Sequence, residues 1–234
     1  MALILSIETS SKNCSVAISK NTEVLCYKEE FDEGYCHGER LHVLINELLQ
    51  ECSLSIHNMD AFALSHGPGS YTGLRIGASA AKGFSFALNK PIILIPTLES
   101  LAKSYSDVYG DSNNIQFICP ILDSRQGEVY AAVYNNTLNV VLDSFACVLS
   151  SHSFEEILNK GKCIFFGTGL DKVKSVLNHK NANFIKDDWL PSSRSLSVLS
   201  HKKFIQKDFA DIAYFEPLYL KNFMPARPKK KFNI

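Results

Sequence analysis

The chain has no surplus of charge: 24 lysines and arginines face 24 aspartates and glutamates in 234 residues. Such balance points neither to a nucleic-acid binder nor to a membrane-surface protein. No apolar run approaches the length of a membrane span. The apolar start, Met1 to Ile7, lacks a basic flank and meets Glu8 too soon for a secretory leader. Seven cysteines are an odd number, and none forms a Cys-x-x-Cys pair. That argues against a disulfide framework and a zinc site, and for small buried hydrophobes in a reducing compartment. A cytoplasmic protein with no membrane contact is expected. What is present, 46% hydrophobic and 21% charged residues, is ordinary globular composition. One asymmetry remains: Arg227, Lys229, Lys230 and Lys231 crowd the last eight residues. A solvated terminus is the common explanation for such a tail, and contact with nucleic-acid phosphates the sharper one.

Periodicity predicts strands over Ala2–Ile7, Ser15–Ser19 and Val24–Phe31, separated by turn residues. Leu41, Leu44, Ile45, Leu48, Leu49 and Cys52 then recur at helical spacing from Gly38 to Cys52. Strand Ala61–Leu64, a glycine-rich turn and helix from Gly67 to Leu88, strand Pro91–Ile95 and a short helix capped by Thr97 follow. The order returns in Ile115–Leu122, Glu128–Tyr134, Val140–Leu149, helix His152–Asn159, strand Cys163–Phe166 and helix Thr168–Leu177. The residues alone leave open whether this is a true duplication. If it is, Glu8 and Asp123 end equivalent first strands, and two facing hairpins would hold phosphates or a cation. The plainer reading is that an acid with Ser, Asn or Gly is what hairpin turns are made of.

The block Ser65-His66-Gly67-Pro68-Gly69-Ser70-Tyr71-Thr72-Gly73-Leu74-Arg75-Ile76-Gly77 carries the most information. A glycine turn at a helix N-terminus offers free N–H groups to phosphate. Yet no Gly-Lys-Ser/Thr closes it, the dinucleotide spacing is wrong, and Ser70 lacks the glycines of a nucleophile elbow. What remains is a tight turn capped by Ser70 or Thr72. Gly73, Gly77 and Ala81 share one helical face, which lets another backbone come close, either this protein's own sheet or a partner helix. His37 and His42, five apart, share no face as a ligand pair would and read as surface or capping residues.

Several of these segments resemble one family. The Ile-Glu-Thr-Ser-Ser…Cys-Ser-Val-Ala opening, His37-Gly38-Glu39-Arg40-Leu41, the glycine block, Asp123-Ser124-Arg125-Gln126-Gly127-Glu128-Val129-Tyr130 and Glu216-Pro217-Leu218-Tyr219-Leu220 are similar to TsaB (YeaZ) proteins of tRNA threonylcarbamoyladenosine biosynthesis. The resemblance implies an α/β, actin-like and HSP70-like ATPase fold of two RNase H-like lobes with βββαβα order. The lobes would span 1–106 and 107–234, the last segment packing back on the first. It implies a non-catalytic subunit that dimerises with the larger paralogue TsaD, which carries the transfer to adenosine next to the anticodon. A TsaE-like ATPase would bind the pair; a homodimer that uses the same surface when TsaD is absent is a further alternative.

Where TsaD-like chains carry a His-x-x-x-His metal pair, this chain has Thr97 and Leu101, neither of which replaces imidazole. By its length the chain is also expected to be short of the C-terminal segment that supplies TsaD's further aspartate ligand. No metal and no cofactor of its own are therefore expected, with ATP or ADP confined to the interface of the complex. The expected interface is a helix pair through Leu41, Leu44, Ile45, Leu48, Gly73, Arg75, Ile76, Gly77, Ala80 and Ala81. Glu8, Thr9, Ser10, Gly67, Gly69, Ser70 and Asp123 are the expected vestiges of a phosphate loop, and no catalytic residue is expected. The rival expectations are an ATPase or phosphotransferase acting through Glu8 and Asp123, and an inactive metalloprotease homologue. Contact with tRNA would be indirect, or weak through the basic tail.

Overall fold

The computed structural model describes residues 1–32, 36–110, 114–125, 127–186 and 189–221. Strands β1 (Leu3–Glu8), β2 (Asn13–Lys20) and β3 (Glu23–Phe31) form an antiparallel meander. Helix α1 (His37–Glu51), β4 (Ala61–Ser65), α2 (Tyr71–Leu88) and β5 (Ile92–Ile95) then add two parallel strands, in the order β3-β2-β1-β4-β5. Beyond α3 (Thr97–Tyr109), the meander recurs as β6 (Phe117–Asp123), β7 (Glu128–Asn135) and β8 (Val140–Val148). Helix α4 (Glu155–Lys160), β9 (Cys163–Phe166), α5 (Leu170–Val176) and β10 (Ala182–Phe184) complete a second sheet, β10-β9-β6-β7-β8. Read from the other edge, its order matches the first sheet strand for strand. The duplicated pattern is therefore carried by topology, and it gives the doubled α/β lobe that the resemblance implies. Strand β10 and a last helix, α6 (Leu196–Gln206), escaped the sequence reading; three residues of strand leave no alternation to detect.

Each sheet is covered on both faces, which is why Ala61–Leu64 reads as a continuous apolar run. On the first sheet, Leu5, Ile7, Phe62 and Leu64 face α1 and α2 through Leu41, Leu44, Leu48, Ala78 and Ala81. The opposite face, with Ile4, Ala61, Ala63, Ile93 and Ile95, receives Leu196 of α6. On the second sheet, Ile121, Val129 and Phe165 meet α4 and α5 through Ile157, Leu158 and Val173. Its other face packs Leu98, Leu101, Ala102 and Tyr105 of α3 against Ile118, Ala132 and Phe166. The two lobes thus exchange their last helices. A boundary at 106 falls inside α3, which belongs by packing to the second sheet, whereas α6 belongs to the first.

Three local expectations are corrected. Thr97 is the first residue of α3 and not its cap; Pro96 stands at the cap, and the buried Thr97 hydroxyl pairs with Ser65 Oγ at 2.6 Å. His37 is buried, its Nε2 hydrogen-bonded at 2.7 Å to the Ser11 carbonyl, so it ties α1 to the β1–β2 turn. Cys26 of β3 and Cys52 at the end of α1 are joined as a disulfide, their Cα atoms 6.9 Å apart. No spacing marked that pair, because only the packing of α1 on β3 brings the two positions together. Cys14, Cys119 and Cys163 are buried thiols, as expected.

Candidate functional site: an interlobe cleft and an outer helix groove

A cleft of about 740 Å³ lies between the lobes. The first lobe contributes Ser10, Ser11 and Lys12 from the β1–β2 hairpin and Pro68–Tyr71 from the glycine turn. The second contributes Asp123–Arg125 from the equivalent β6–β7 hairpin, with Thr168 behind it. Both hairpins and the glycine block thus meet at one place, as the repeat suggested. Sequence reading missed Lys12, Tyr71, Tyr130 and Thr168, and it did not anticipate that Leu218–Lys221 of the C-terminal segment line the same cleft.

The two acids do not form a pair there. Glu8 is fully buried beneath the hairpin, where Oε1 accepts the Ser10 N–H at 2.7 Å and Oε2 has no hydrogen-bond partner among the described residues. Burial pushes its carboxyl above the usual carboxylate range, with the Ser10 hydrogen bonds opposing. Asp123 is exposed at the cleft, but its carboxylate is 2.6 Å from Lys172 Nζ. Lys172 also donates to the backbone oxygens of Ser124 and Arg125 at 3.1 and 2.8 Å, so it braces the hairpin from below. One acid is walled in and the other is neutralised, which corrects the expectation of two carboxylates facing each other.

The glycine turn is built for close approach. Ser70 caps α2, accepting the Gly73 N–H at 3.2 Å, which decides between the two expected caps. Its own N–H reaches the Ser10 carbonyl at 2.7 Å, and Thr9 Oγ1 donates to the Gly73 carbonyl at 2.8 Å. A Cβ at Gly69 would lie 2.4 Å from the Ser10 carbonyl oxygen, and one at Gly77 would lie 2.4 Å from Thr9 Oγ1. The stripe Gly73, Gly77, Ala81 is thus pressed on this protein's own hairpin and sheet, and all three are buried. Leu41, Leu44, Ile45 and Leu48 are likewise in the core. These positions cannot offer their side chains to a partner; this corrects the interface expected through the stripe.

The same helices present a different face outward. Gly38 and His42 of α1 with Thr72, Arg75, Ile76, Ser79, Ala80, Gly83 and Phe84 of α2 line a groove of about 720 Å³. His42 packs edge-on to Phe84 at 5.7 Å, and Phe86 beyond it is 84% exposed. Of the expected interface residues, Arg75, Ile76 and Ala80 lie here. The signal for this face was the second stripe of α2, Thr72, Arg75, Ile76, Ser79 and Gly83, one helical step from the glycines.

Comparison with known proteins agrees with this architecture. The family model of TsaD, tRNA N6-adenosine threonylcarbamoyltransferase, matches residues 34–221. The chain is 25% identical over 237 residues to tRNA threonylcarbamoyladenosine biosynthesis protein TsaB of Haemophilus influenzae, covering 94% of this chain and 93% of that one. This chain belongs to the TsaB (YeaZ) family, related to TsaD. It is 28% identical to the TsaB of Bacillus subtilis, covering 93% of each chain. YeaZ from Pseudomonas aeruginosa superposes with a TM-score of 0.80 at 24% identity, over 94% of this chain and all of that one. In this TsaB-family chain Thr97 is spent on a buried hydroxyl pair and Leu101 on the α3 core. Among the described residues no helix is long and apolar enough to cross a membrane. The Arg227–Lys231 tail lies outside the described residues.

Proposed function

We propose that this chain is a non-catalytic cytoplasmic subunit of the assembly that places threonylcarbamoyl on N6 of adenosine 37 in ANN-decoding tRNAs. It docks a TsaD-like catalytic subunit on the α1–α2 groove, and a TsaE-like ATPase binds the pair. The observation that carries the reading is the groove. Gly38, Ala80 and Gly83 line it with little or no side chain, which leaves room for another helix backbone, and Ile76 and Phe84 give it apolar surface. Alone, the chain would use the same face for a second copy. The cleft supports an ATPase less well, since Glu8 is buried and Asp123 is held by Lys172. Contact with tRNA is left to the partner and the basic tail.

Replacing Ile76 by Glu tests this. We expect a loss of about 100-fold or more in affinity for the TsaD-like subunit, measured by calorimetry, with the chain still folded and its unfolding midpoint lowered only modestly, since Ile76 also packs on the edge of the first core. Wild-type affinity in that variant would sink the docking face. Turnover of ATP with magnesium by the isolated chain, abolished in Glu8→Ala, would replace the scaffold reading by the enzymatic one.

A further inference from the structure

The segment Glu216-Pro217-Leu218-Tyr219-Leu220 lies between the glycine turn, the outer groove and the second lobe, and it touches all three. Phe215 is buried in the core of the first lobe, and its carbonyl accepts from Lys82 Nζ of α2 at 2.9 Å. The Lys82 ammonium lies over the Phe215 ring at 4.3 Å. Three residues on, the Leu218 N–H donates to the His66 carbonyl at 2.7 Å. Gly67 has φ +121°, and a Cβ there would meet the Leu218 oxygen at 2.8 Å, so the turn is shaped to the segment. Tyr219 follows: its hydroxyl accepts from Arg75 Nε at 3.2 Å, and its ring lies 5.0 Å from that of Tyr71. The Arg75 guanidinium is stacked on Tyr71 at 4.1 Å. Finally Lys221 pairs with Glu128 of β7, in the other lobe.

Tyr71 and Arg75 therefore stand in two places at once. Arg75 lines the outer groove and grips Tyr219; Tyr71 lines both the groove and the cleft. We infer that Phe215–Lys221 is a strap across the lobes, and that Tyr219 is a positioning residue which sets Arg75 and Tyr71 for the docking partner. A partner seated in the groove presses on the two side chains that hold the strap, and the strap ends on the second lobe. Docking and the seating of the strap are thereby one equilibrium, since two events that share side chains bias each other reciprocally. Glu128 and Lys221 do not line the groove, so altering them probes the strap without touching the docking surface.

The coupling rests on the docking reading; the strap itself does not. In the isolated full chain, Lys221→Glu is expected to speed hydrogen exchange of the Leu218 amide about tenfold or more while the urea midpoint stays put. Adding Glu128→Lys should restore the slow exchange, because the pair is rebuilt with its signs reversed. A packing defect would not be rescued this way. Unchanged exchange in Lys221→Glu, or fast exchange that the double variant does not slow, would overturn the strap. The coupling is read from Tyr219→Phe, which keeps the ring and loses the hydroxyl bonded to Arg75. It should weaken binding of the TsaD-like subunit about fivefold, with the same weakening in Lys221→Glu. Wild-type affinity in both would overturn the coupling while the exchange data still decide the strap. Should Ile76→Glu bind normally, the docking reading falls, and the coupling with it.

Discussion

Gly73 has no room for a methyl group: a Cβ there would lie 2.0 Å from the Thr9 carbonyl oxygen, with His37 at 3.1 Å on the other side. Both neighbours belong to the frame of the fold, so neither can step aside cheaply. We expect Gly73→Ala to destabilise the isolated chain by about 2 kcal/mol or more, despite the gain in helix propensity. Equal stability in urea would mean that the hairpin does not press on α2. At Glu8 charge decides the outcome. Its folded-state pKa is raised by burial, so the folded chain holds this proton more tightly than the unfolded one. The contribution of Glu8 to stability is then greatest below the unfolded value of about 4.3 and is lost as pH rises through the window above it. Glu8→Gln, which mimics the protonated acid, should therefore be more stable than wild type at pH 8, the difference vanishing near pH 4. Denaturant midpoints at the two pH values measure this, and a variant weaker than wild type at pH 8 would contradict it.

Helix α1 shows what a sequence pattern does and does not say. The stripe of Leu41, Leu44, Ile45 and Leu48 was legible as an amphipathic helix, and the helix formed within one residue of its expected ends. The pattern did not say which surface covers the stripe. In the fold, α1 lies on β2 with Leu48 fully buried. Leu48→Ala should thus cost about 2–5 kcal/mol in the isolated chain, where an interface leucine would cost little. A urea midpoint within error of wild type would return Leu48 to the interface. The same logic explains α2. Its glycines announced a close approach, but small residues fit a neighbouring strand hairpin as well as a partner helix. Only the arrival of Thr9 and Ser10 from the other end of the lobe settled the matter.

Across the whole molecule, the exchange of α3 and α6 makes each lobe depend on the other. The first sheet lacks cover without α6, and the second lacks it without α3. Further ties cross over, including Ser193 Oγ to Ser15 Oγ at 2.6 Å and Asn13 Nδ2 to the Pro191 carbonyl at 3.0 Å. We expect the chain to unfold as one unit. Its single tryptophan, Trp189, makes the test direct, since it packs on Tyr105 and Tyr109 of α3 and on Phe166 of β9. Trp189 fluorescence and far-ultraviolet circular dichroism should follow the same urea curve; two separated transitions would show lobes that fold alone.

By itself the sequence determined most of the elements, β10 and α6 excepted, and suggested their doubled order, because local periodicity and turn chemistry act over a few residues. It also determined the absence of imidazole at Thr97 and Leu101, and the family, through the motifs around Glu8, Gly67 and Asp123. The tertiary structure alone decided which sheet each helix covers, that Glu8 is buried while Asp123 is paired, and which face of α2 is left outward. These outcomes depend on contacts between residues far apart in the chain, such as Gly73 with Thr9, Cys26 with Cys52 and Tyr219 with Arg75. A hydrophobic stripe fixes that a surface will be buried, and only the packed molecule chooses what buries it.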